Sequence, residues 1–384
     1  MAEAGAQFVW VTDEASTRPR TGGALRSHRL LRALGHVADV TVVSRGDVDT
    51  EAYAAQTGAS HVSVVPLQRR SRAATKLRGL LRGQPAIMAR TSTRDLRAML
   101  SREVQSGRLL VFDHLRSVGN RPRRARCVVI LHNIDSEMIG SDRSLQQPGI
   151  RRLTTHLERR LASRQEQRLT RDPRALVIVV SERDRELLGG RPLVIPNGAD
   201  PPVHATPRDH SGTALFVASM TYAPNREAVE WWADKVWPHI TDGTRLTVVG
   251  HGADTWLGHL AGHEGVDVVG EVDDVGSVLT SAGVIVVPLL SGGGSRLKIL
   301  EAMAWGRPVV TTSKGCEGIP LVHEESALIA DDAMNFAQQV MRLRSDDALA
   351  GRLARRAGEL VQPYSWDRLG AAFAQACLEH ARGG

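Results

Sequence analysis

The chain has 384 residues, 42% of them apolar and 24% charged, and a net charge of +7. That length exceeds one ordinary core and suits two domains of average size, and the composition is globular, which excludes a disordered or fibrous chain. No apolar run approaches the roughly 18 residues of a membrane span, and Met1 to Thr12 lacks the basic and apolar regions of a signal peptide. Cys127, Cys316 and Cys377 have no metal-ligand spacing and cannot all pair, which predicts buried thiols in a cytoplasmic protein.

The charge is shared unevenly. Residues 1–190 hold 33 basic and 19 acidic side chains, a balance of +14, against −7 for residues 191–384. Such asymmetry predicts two bodies with different partners. The basic half suits an acidic acceptor, a phosphate-bearing substrate or an anionic membrane surface, with peripheral contact at the inner face of the membrane as an option. It equally suits arginines spread over solvated helices, as in Arg151-Arg152, Arg159-Arg160 and Arg164. Few aromatics and no recognisable nucleic-acid motif argue against a nucleic-acid partner.

In chain order, short apolar runs alternate with helical patterns, the signature of parallel βαβ units. The first half predicts strands at Phe8–Val11, Val40–Val43, His61–Val65, Leu109–Phe112, Val128–Leu131 and Ala175–Val180. The helix after the first strand carries Leu30, Leu31 and Leu34 on one face, and a long helix from about Ile150 to Leu169 carries Leu153, Leu157, Leu161 and Leu169 at near-helical spacing. Leu193 to Pro202 reads as a short strand followed by a Pro/Gly-rich linker. Strands resume at Ala214–Ala218, Arg245–Val249, Val266–Val269, Val284–Val287 and Pro308–Thr312, with helices between them that include Arg226–Val236 and Leu297–Trp305. Two such halves place a ligand cleft at the C-terminal edges of the strands.

The richest stretch follows the strand Val284–Val287. It runs Ser291-Gly292-Gly293-Gly294-Ser295-Arg296-Leu297-Lys298-Ile299-Leu300-Glu301. Glycines let backbone amides approach a phosphate, and a helix N-terminus adds partial positive charge. Arg296 and Lys298 oppose that dipole unless an anion compensates, which favours an anion site over a flexible linker. Glu301, three residues after Lys298 on the same face, either pairs with it or binds ribose hydroxyls. Val248-Val249-Gly250-His251-Gly252-Ala253 lacks the third glycine of a dinucleotide fingerprint and reads as a tight turn near a nucleotide base. In the first half, Thr21-Gly22-Gly23 opens the first long helix, His132 and Asn133 follow a strand directly, and Asp113 ends another. Each of these is a cleft candidate, and each also has an ordinary reading as a loop, a cap or a satisfied core residue.

Taken together these segments resemble a retaining glycosyltransferase of family 4 with the GT-B fold. The resemblance rests on Ile195-Pro196-Asn197-Gly198-Ala199-Asp200, Phe216–Asn225, Val269-Gly270-Glu271-Val272, Lys298–Val310, Leu131-His132-Asn133-Ile134-Asp135-Ser136-Glu137 and Thr21-Gly22-Gly23. It implies an α/β protein with two Rossmann-like parallel-sheet domains facing a central cleft. These would be an acceptor-binding domain at 1–196, joined by a crossing helix at 364–384, and a nucleotide-sugar-binding domain at 197–363. It further implies a hexosyltransferase acting with retention and needing no metal or cofactor, on a UDP- or GDP-linked donor and a small-molecule, lipid-linked or phosphorylated acceptor. By the same resemblance Glu301 binds the ribose, and Gly292, Gly293, Gly294 and Ser295 lie by the diphosphate and sugar. Gly250 and Ser219 join the donor site, and His132 stands near the transferred sugar. Gly22, Gly23, Asp113 and Asn133 face the acceptor. Two departures qualify it. Gly293 occupies the place of the family's second glutamate, and Ser219 to Arg226 lacks the lysine of an expected Arg/Lys pair, so Arg296 and Lys298 are the substitutes for diphosphate neutralisation. A nucleotide-sugar epimerase or hydrolase, or a degenerate binding scaffold on the same fold, remains an alternative.

Overall fold

Each half of the chain builds its own parallel sheet. The computed structural model describes residues 6–66, 71–140, 149–202, 213–292 and 296–383, apart from the side chains of Arg72, Ile150 and Arg151. Its first unit comprises Met1–Pro196 with Asp367–Gly384, and its second comprises Asn197–Trp366.

The first unit contains β1 (Gln7–Thr12), β2 (Asp39–Ser44), β3 (His61–Val64), β4 (Leu109–Asp113), β5 (Cys127–Ile130), β6 (Ala175–Val179) and β7 (Leu193–Val194). They lie in the order β3-β2-β1-β4-β5-β6-β7, every pair parallel. The second unit contains β8 (Ala214–Val217), β9 (Leu246–Val249), β10 (Val266–Gly270), β11 (Val284–Val287), β12 (Val309–Thr311) and β13 (Leu328–Ile329), in the order β10-β9-β8-β11-β12-β13, again all parallel. The central strands are continuous apolar runs because they are buried on both faces: all of β4, β5 and β11 is buried. In both units the strand order reverses beside the first strand, between β1 and β4 and between β8 and β11, which opens a crevice at the C-terminal edge of the sheet.

The helix Gly22–Gly35 starts where Thr21 accepts a hydrogen bond from the Ala24 amide at 3.1 Å, and Leu30, Leu31 and Leu34 on its inner face are fully buried. The terminal helix Trp366–Arg382 buries Phe373 and Cys377, and the Phe373 ring meets Trp10 of β1 edge-on at 6.0 Å. That contact is why the last residues of the chain belong to the first unit. All three cysteines are buried and unbridged.

The helices differ from expectation in two instructive places. The helix Ile150–Arg171 buries Leu161 and Leu169 but leaves Leu153 71% and Leu157 39% exposed, so its leucine stripe faces the core over only part of its length. The expected helix Arg226–Val236 starts earlier, at Ala223 with Pro224 in its first turn, and widens to a π-helical turn over Trp232–Val236. This seats Trp232 fully buried with its indole N–H donating to the Gly265 carbonyl at 3.1 Å. Strand β13 was not anticipated, since two residues carry no readable pattern.

Gly250, at the end of β9, has φ of 145°, and its amide donates to the Gly270 carbonyl at 2.7 Å. A Cβ there would collide with the Ala218 carbonyl. The turn therefore brings the β8 and β9 ends closer than any side chain permits. Gly250→Ala is expected to destabilise the second unit by about 3 kcal/mol through strain and overpacking. Calorimetric melting should show it as a selective loss in one transition, and an unchanged profile would mean that the turn relaxes freely.

Candidate active site

In the first unit the crevice between β1 and β4 gathers the C-terminal residues of both strands, the start of the helix Gly22–Gly35 and His132, which follows β5. Asp113 is fully buried. Its Oδ2 accepts from the Thr12 hydroxyl at 2.6 Å, and its Oδ1 accepts from the Ser27 hydroxyl at 2.9 Å and lies 2.6 Å from His132 Nε2. Burial alone would raise its pKa. The charge of His114 and the bonds from His132 and Thr12 outweigh burial and hold the carboxyl well below the usual carboxylate range. Burial, reinforced by the nearby charge of His114, pushes His132 down to about 4 against the pull of Asp113. The ring is therefore neutral at physiological pH. Its Nε2–H donates to Asp113, and Nδ1 is buried as an acceptor without a partner among the described residues.

His114 was not singled out from the sequence, yet it organises this cluster. Its ring lies 4.1 Å from that of His132, and its Nε2 is 3.2 Å from Glu14 Oε2. Burial disfavours its charge, but Asp113 and Glu14 overcome burial and raise its pKa. Glu14 in turn falls to about 2, because His114 and Arg116 outweigh its own burial, and Arg116 also meets Asp13 at 3.1 Å. His114 holds φ 72° and ψ 153°, a backbone region proper to glycine. Arg26, 1% exposed, ties the helix to the end of the unit by donating to the Ile195 and Pro196 carbonyls at 2.6 and 2.7 Å. Gly22 opens the helix, and the Gly23 carbonyl accepts from Ser27 at 3.0 Å. Asn133 is half-buried and stands outside the network. Asp113, His114 and His132 could offer ligand atoms within 4.8 Å of one another. Those atoms already serve one another together with Thr12, Ser27 and Glu14, so a cation would have to displace the existing bonds.

In the second unit the crevice between β8 and β11 is framed by the β8 loop and the helix Leu297–Ala304. Lys298 Nζ donates to Asn225 Oδ1 at 2.9 Å and stands 4.3 Å over the Phe216 ring. Asn225 in turn donates to the Ser219 carbonyl at 2.8 Å, and the Ser219 hydroxyl lies 2.8 Å from that of Thr221. Desolvation first, and then the charge of Arg296, lowers Lys298 to about 7, with Glu301 pulling the other way. Arg296 is 4% exposed, and its Nη2 donates to the Gly292 and Lys314 carbonyls at 3.1 and 3.0 Å. Its guanidinium thus clasps the loop that precedes the helix. Gly292 has φ of 95°, and a Cβ there would come 2.6 Å from the Tyr222 hydroxyl. Ser291 donates to Glu227 at 2.6 Å, tying the same loop to the helix Ala223–Trp231. Glu301 is half-buried one turn beyond Lys298. Gly293, Gly294 and Ser295 lie outside the described residues.

Of the residues singled out in the sequence, Asp113 and His132 come together in the first crevice and Arg296 and Lys298 in the second; Thr12, Ser27, Arg26, Glu14, His114, Asn225 and Tyr222 join them there without having been singled out. Asp13-Glu14 and Asp113-His114, consecutive titratable residues at strand ends, were the available signal. Asn225 offered none, because its bond to Lys298 spans 73 residues.

Paired parallel sheets with crevices at both reversals define the GT-B fold of glycosyltransferases. Sucrose-phosphate synthase from Thermosynechococcus elongatus superposes with a TM-score of 0.72 at 17% identity, covering 99% of this chain and 100% of that one. The Anabaena protein HepE in complex with UDP superposes at 0.67 with 14% identity, covering 97% and 100%. Residues 211–346 match the family model described as glycosyl transferases group 1. In sequence the chain is 30% identical over 197 residues to the phosphatidyl-myo-inositol mannosyltransferase of Mycolicibacterium smegmatis, a match covering 47% of this chain and 50% of that enzyme. The chain thus spans about half the length of the curated relatives it matches.

The backbone of His114 can be tested separately from its side chain. His114→Gly and His114→Ala lose the same imidazole, but only glycine adopts the conformation freely, so the glycine variant is expected to be about 1–3 kcal/mol more stable than the alanine variant. Denaturant melts of the pair measure the difference, and equal midpoints would show the conformation to be unstrained.

Proposed function

We propose that this protein transfers a hexose from a nucleoside-diphosphate donor to an acceptor hydroxyl, with retention at the anomeric carbon and without a metal. The observation that carries this reading is the start of the helix Leu297–Ala304. There Arg296 and a desolvated Lys298 concentrate positive charge at a helix N-terminus in the β8/β11 crevice of a glycosyl transferases group 1 domain. A diphosphate is the ligand that relieves that arrangement. Lys298, supported by the helix dipole, stabilises the leaving diphosphate, where the largest charge develops. Arg296 shapes the loop and adds its charge. Glu301 takes the ribose hydroxyls, and Gly292 lines the diphosphate and sugar. Ser219 and Gly250 complete the donor side.

His132 supports the oxocarbenium-like sugar as a neutral acceptor through Nδ1, its tautomer fixed by Asp113. In this reading the acceptor attacks on the face the leaving group vacates. The donor is UDP- or GDP-linked, a choice supported by the UDP held in HepE and by the mannosyl transfer in the relative's name. The acceptor, on the side of Gly22, Gly23, Asp113 and Asn133, is a lipid-linked or phosphorylated molecule, in keeping with the basic first half.

Thermal melting with UDP, GDP, dTDP and ADP, each with and without EDTA, tests the donor site, because a ligand bound to the native state raises the melting temperature. One nucleotide should stabilise the protein regardless of EDTA, and failure of all four would remove the proposal. Lys298→Ala is expected to lower kcat by about 10²–10³-fold. Glu301→Ala should instead weaken nucleotide binding by about tenfold, roughly 1.4 kcal/mol. Unchanged kinetics in both would exclude this donor site.

Protonation gives an independent check. Lys298, with its pKa at about 7, is largely neutral at pH 8 in the free protein. An adjacent diphosphate raises that pKa, so binding should take up a proton at pH 8 and progressively less towards pH 6, where the amine is already charged. Calorimetry in buffers of different ionisation enthalpy reads the uptake, and Lys298→Ala should abolish it.

A further inference from the structure

The helix Arg72–Arg82 is set on the first unit the wrong way round for a surface helix of a soluble protein. It buries the small residues Thr75 and Gly79, one turn apart, while Leu77, Leu80 and Leu81 are 60%, 45% and 80% exposed. The three leucines stand at i, i+3 and i+4 and so share one face. Lys76 and Arg82 flank them, both exposed. The helix carries no acidic side chain, and the stretch between Glu51 and Asp95 holds eight basic residues and no acidic one.

A second element with exposed leucines adjoins this helix. The helix Ile150–Arg171 meets the end of Arg72–Arg82, since Gln165 donates to the Gly83 carbonyl at 2.8 Å and the Ala86 amide donates to Glu158 at 2.7 Å. Leu157, beside Glu158, and Leu153, one turn earlier, are the exposed leucines of that helix, with Arg152 and Arg160 exposed among them. Its two glutamates are both engaged with backbone amides, Glu158 with Ala86 and buried Glu166 with Ser136. Exposed leucines and arginines stand together on its first half, with His156 among them.

Three kinds of partner could cover such a face. A second copy of the chain would bring two basic surfaces together without counter-charge. Single-stranded nucleic acid would find cations but no Phe, Tyr or Trp on either helix for bases to stack on. An anionic bilayer satisfies both properties at once. Leucines enter the boundary between headgroups and acyl chains, and flanking Lys and Arg meet lipid phosphates. Among the described residues no helix is long and apolar enough to cross a membrane, so the contact is interfacial.

We propose that the helix Arg72–Arg82, together with the first turns of Ile150–Arg171, is the surface by which this protein docks on an anionic lipid bilayer. Docking needs none of the transfer chemistry and stands or falls separately from it. The test is co-sedimentation of the full chain with vesicles of phosphatidylcholine alone and of phosphatidylcholine mixed with phosphatidylglycerol. The protein should bind the mixed vesicles only, and less tightly as salt is raised. Leu77→Asp/Leu81→Asp and Lys76→Glu/Arg82→Glu should each weaken binding at least about tenfold, since each buried leucine alone is worth roughly that factor in partitioning. Both variants change exposed side chains and should keep the parent's melting temperature and its stabilisation by nucleotide. Equal binding to neutral vesicles, no vesicle binding, or variants that bind as the parent does would overturn the proposal. So would light scattering showing a dimer that the leucine variant dissociates while vesicles are ignored, or capture of a single-stranded oligonucleotide in preference to vesicles.

Discussion

Both sheets are parallel throughout, and their central strands are buried on both faces, so those strands hold apolar side chains along their length. Polar chemistry can emerge only where strands end, and the strand order decides which ends lie beside an open crevice. In the first unit that selects Thr12, Asp113 and His132, and in the second it selects the β8 loop and the glycine loop after β11. The groups gathered in the two crevices are consequences of topology before they are consequences of their own chemistry.

The two crevices handle charge in opposite ways. In the first unit Asp113 receives bonds from Thr12, Ser27 and His132, and Glu14 is matched by His114 and Arg116, so the network is internally paired and rigid. The buried His132 Nδ1 accepts from none of the described residues, and a buried acceptor without a partner is a cost that a bound hydroxyl would relieve. In the second unit the ammonium of Lys298 is met by a neutral amide oxygen and an aromatic face, which orient it without cancelling its charge. A preorganised pair suits positioning, and a cation oriented by neutral groups suits an anion.

Much of the fold was legible because strands covered on both faces read as plain apolar runs, and most of the expected strand boundaries fall within a residue or two of those observed. The candidate sites were legible only where a residue follows a strand directly, as Asp113 and His132 do, or opens a helix, as Arg296 and Lys298 do. Partners contributed by the sides of helices, such as Ser27 and Asn225, were invisible because a polar residue one turn into a helix looks like solvated surface. Leu153 and Leu157 show the converse limit. Periodicity reveals that a helix has an apolar stripe, but not whether the fold covers it.

The charge asymmetry resolves on the same grounds. Two groups stand out among the basic residues of the first half. Arg26, Arg45, Arg97 and Arg121 turn inward and donate to main-chain carbonyls at Ile195 and Pro196, Thr91, Gly119 and Ala125, using several donors on one rigid plane where lysine would offer a single flexible point. Burial lowers the pKa of Arg26, Arg45 and Arg97, but arginine starts so far above neutrality that it remains charged. These side chains join loops that the sheet alone leaves apart. Lys76, Arg82, Arg152 and Arg160, by contrast, face outward beside exposed leucines. The inward four find carbonyls that a lysine would reach with one donor, while Lys76, Arg82, Arg152 and Arg160 stand beside the exposed leucines of two adjoining helices, an arrangement that suits an external anionic surface.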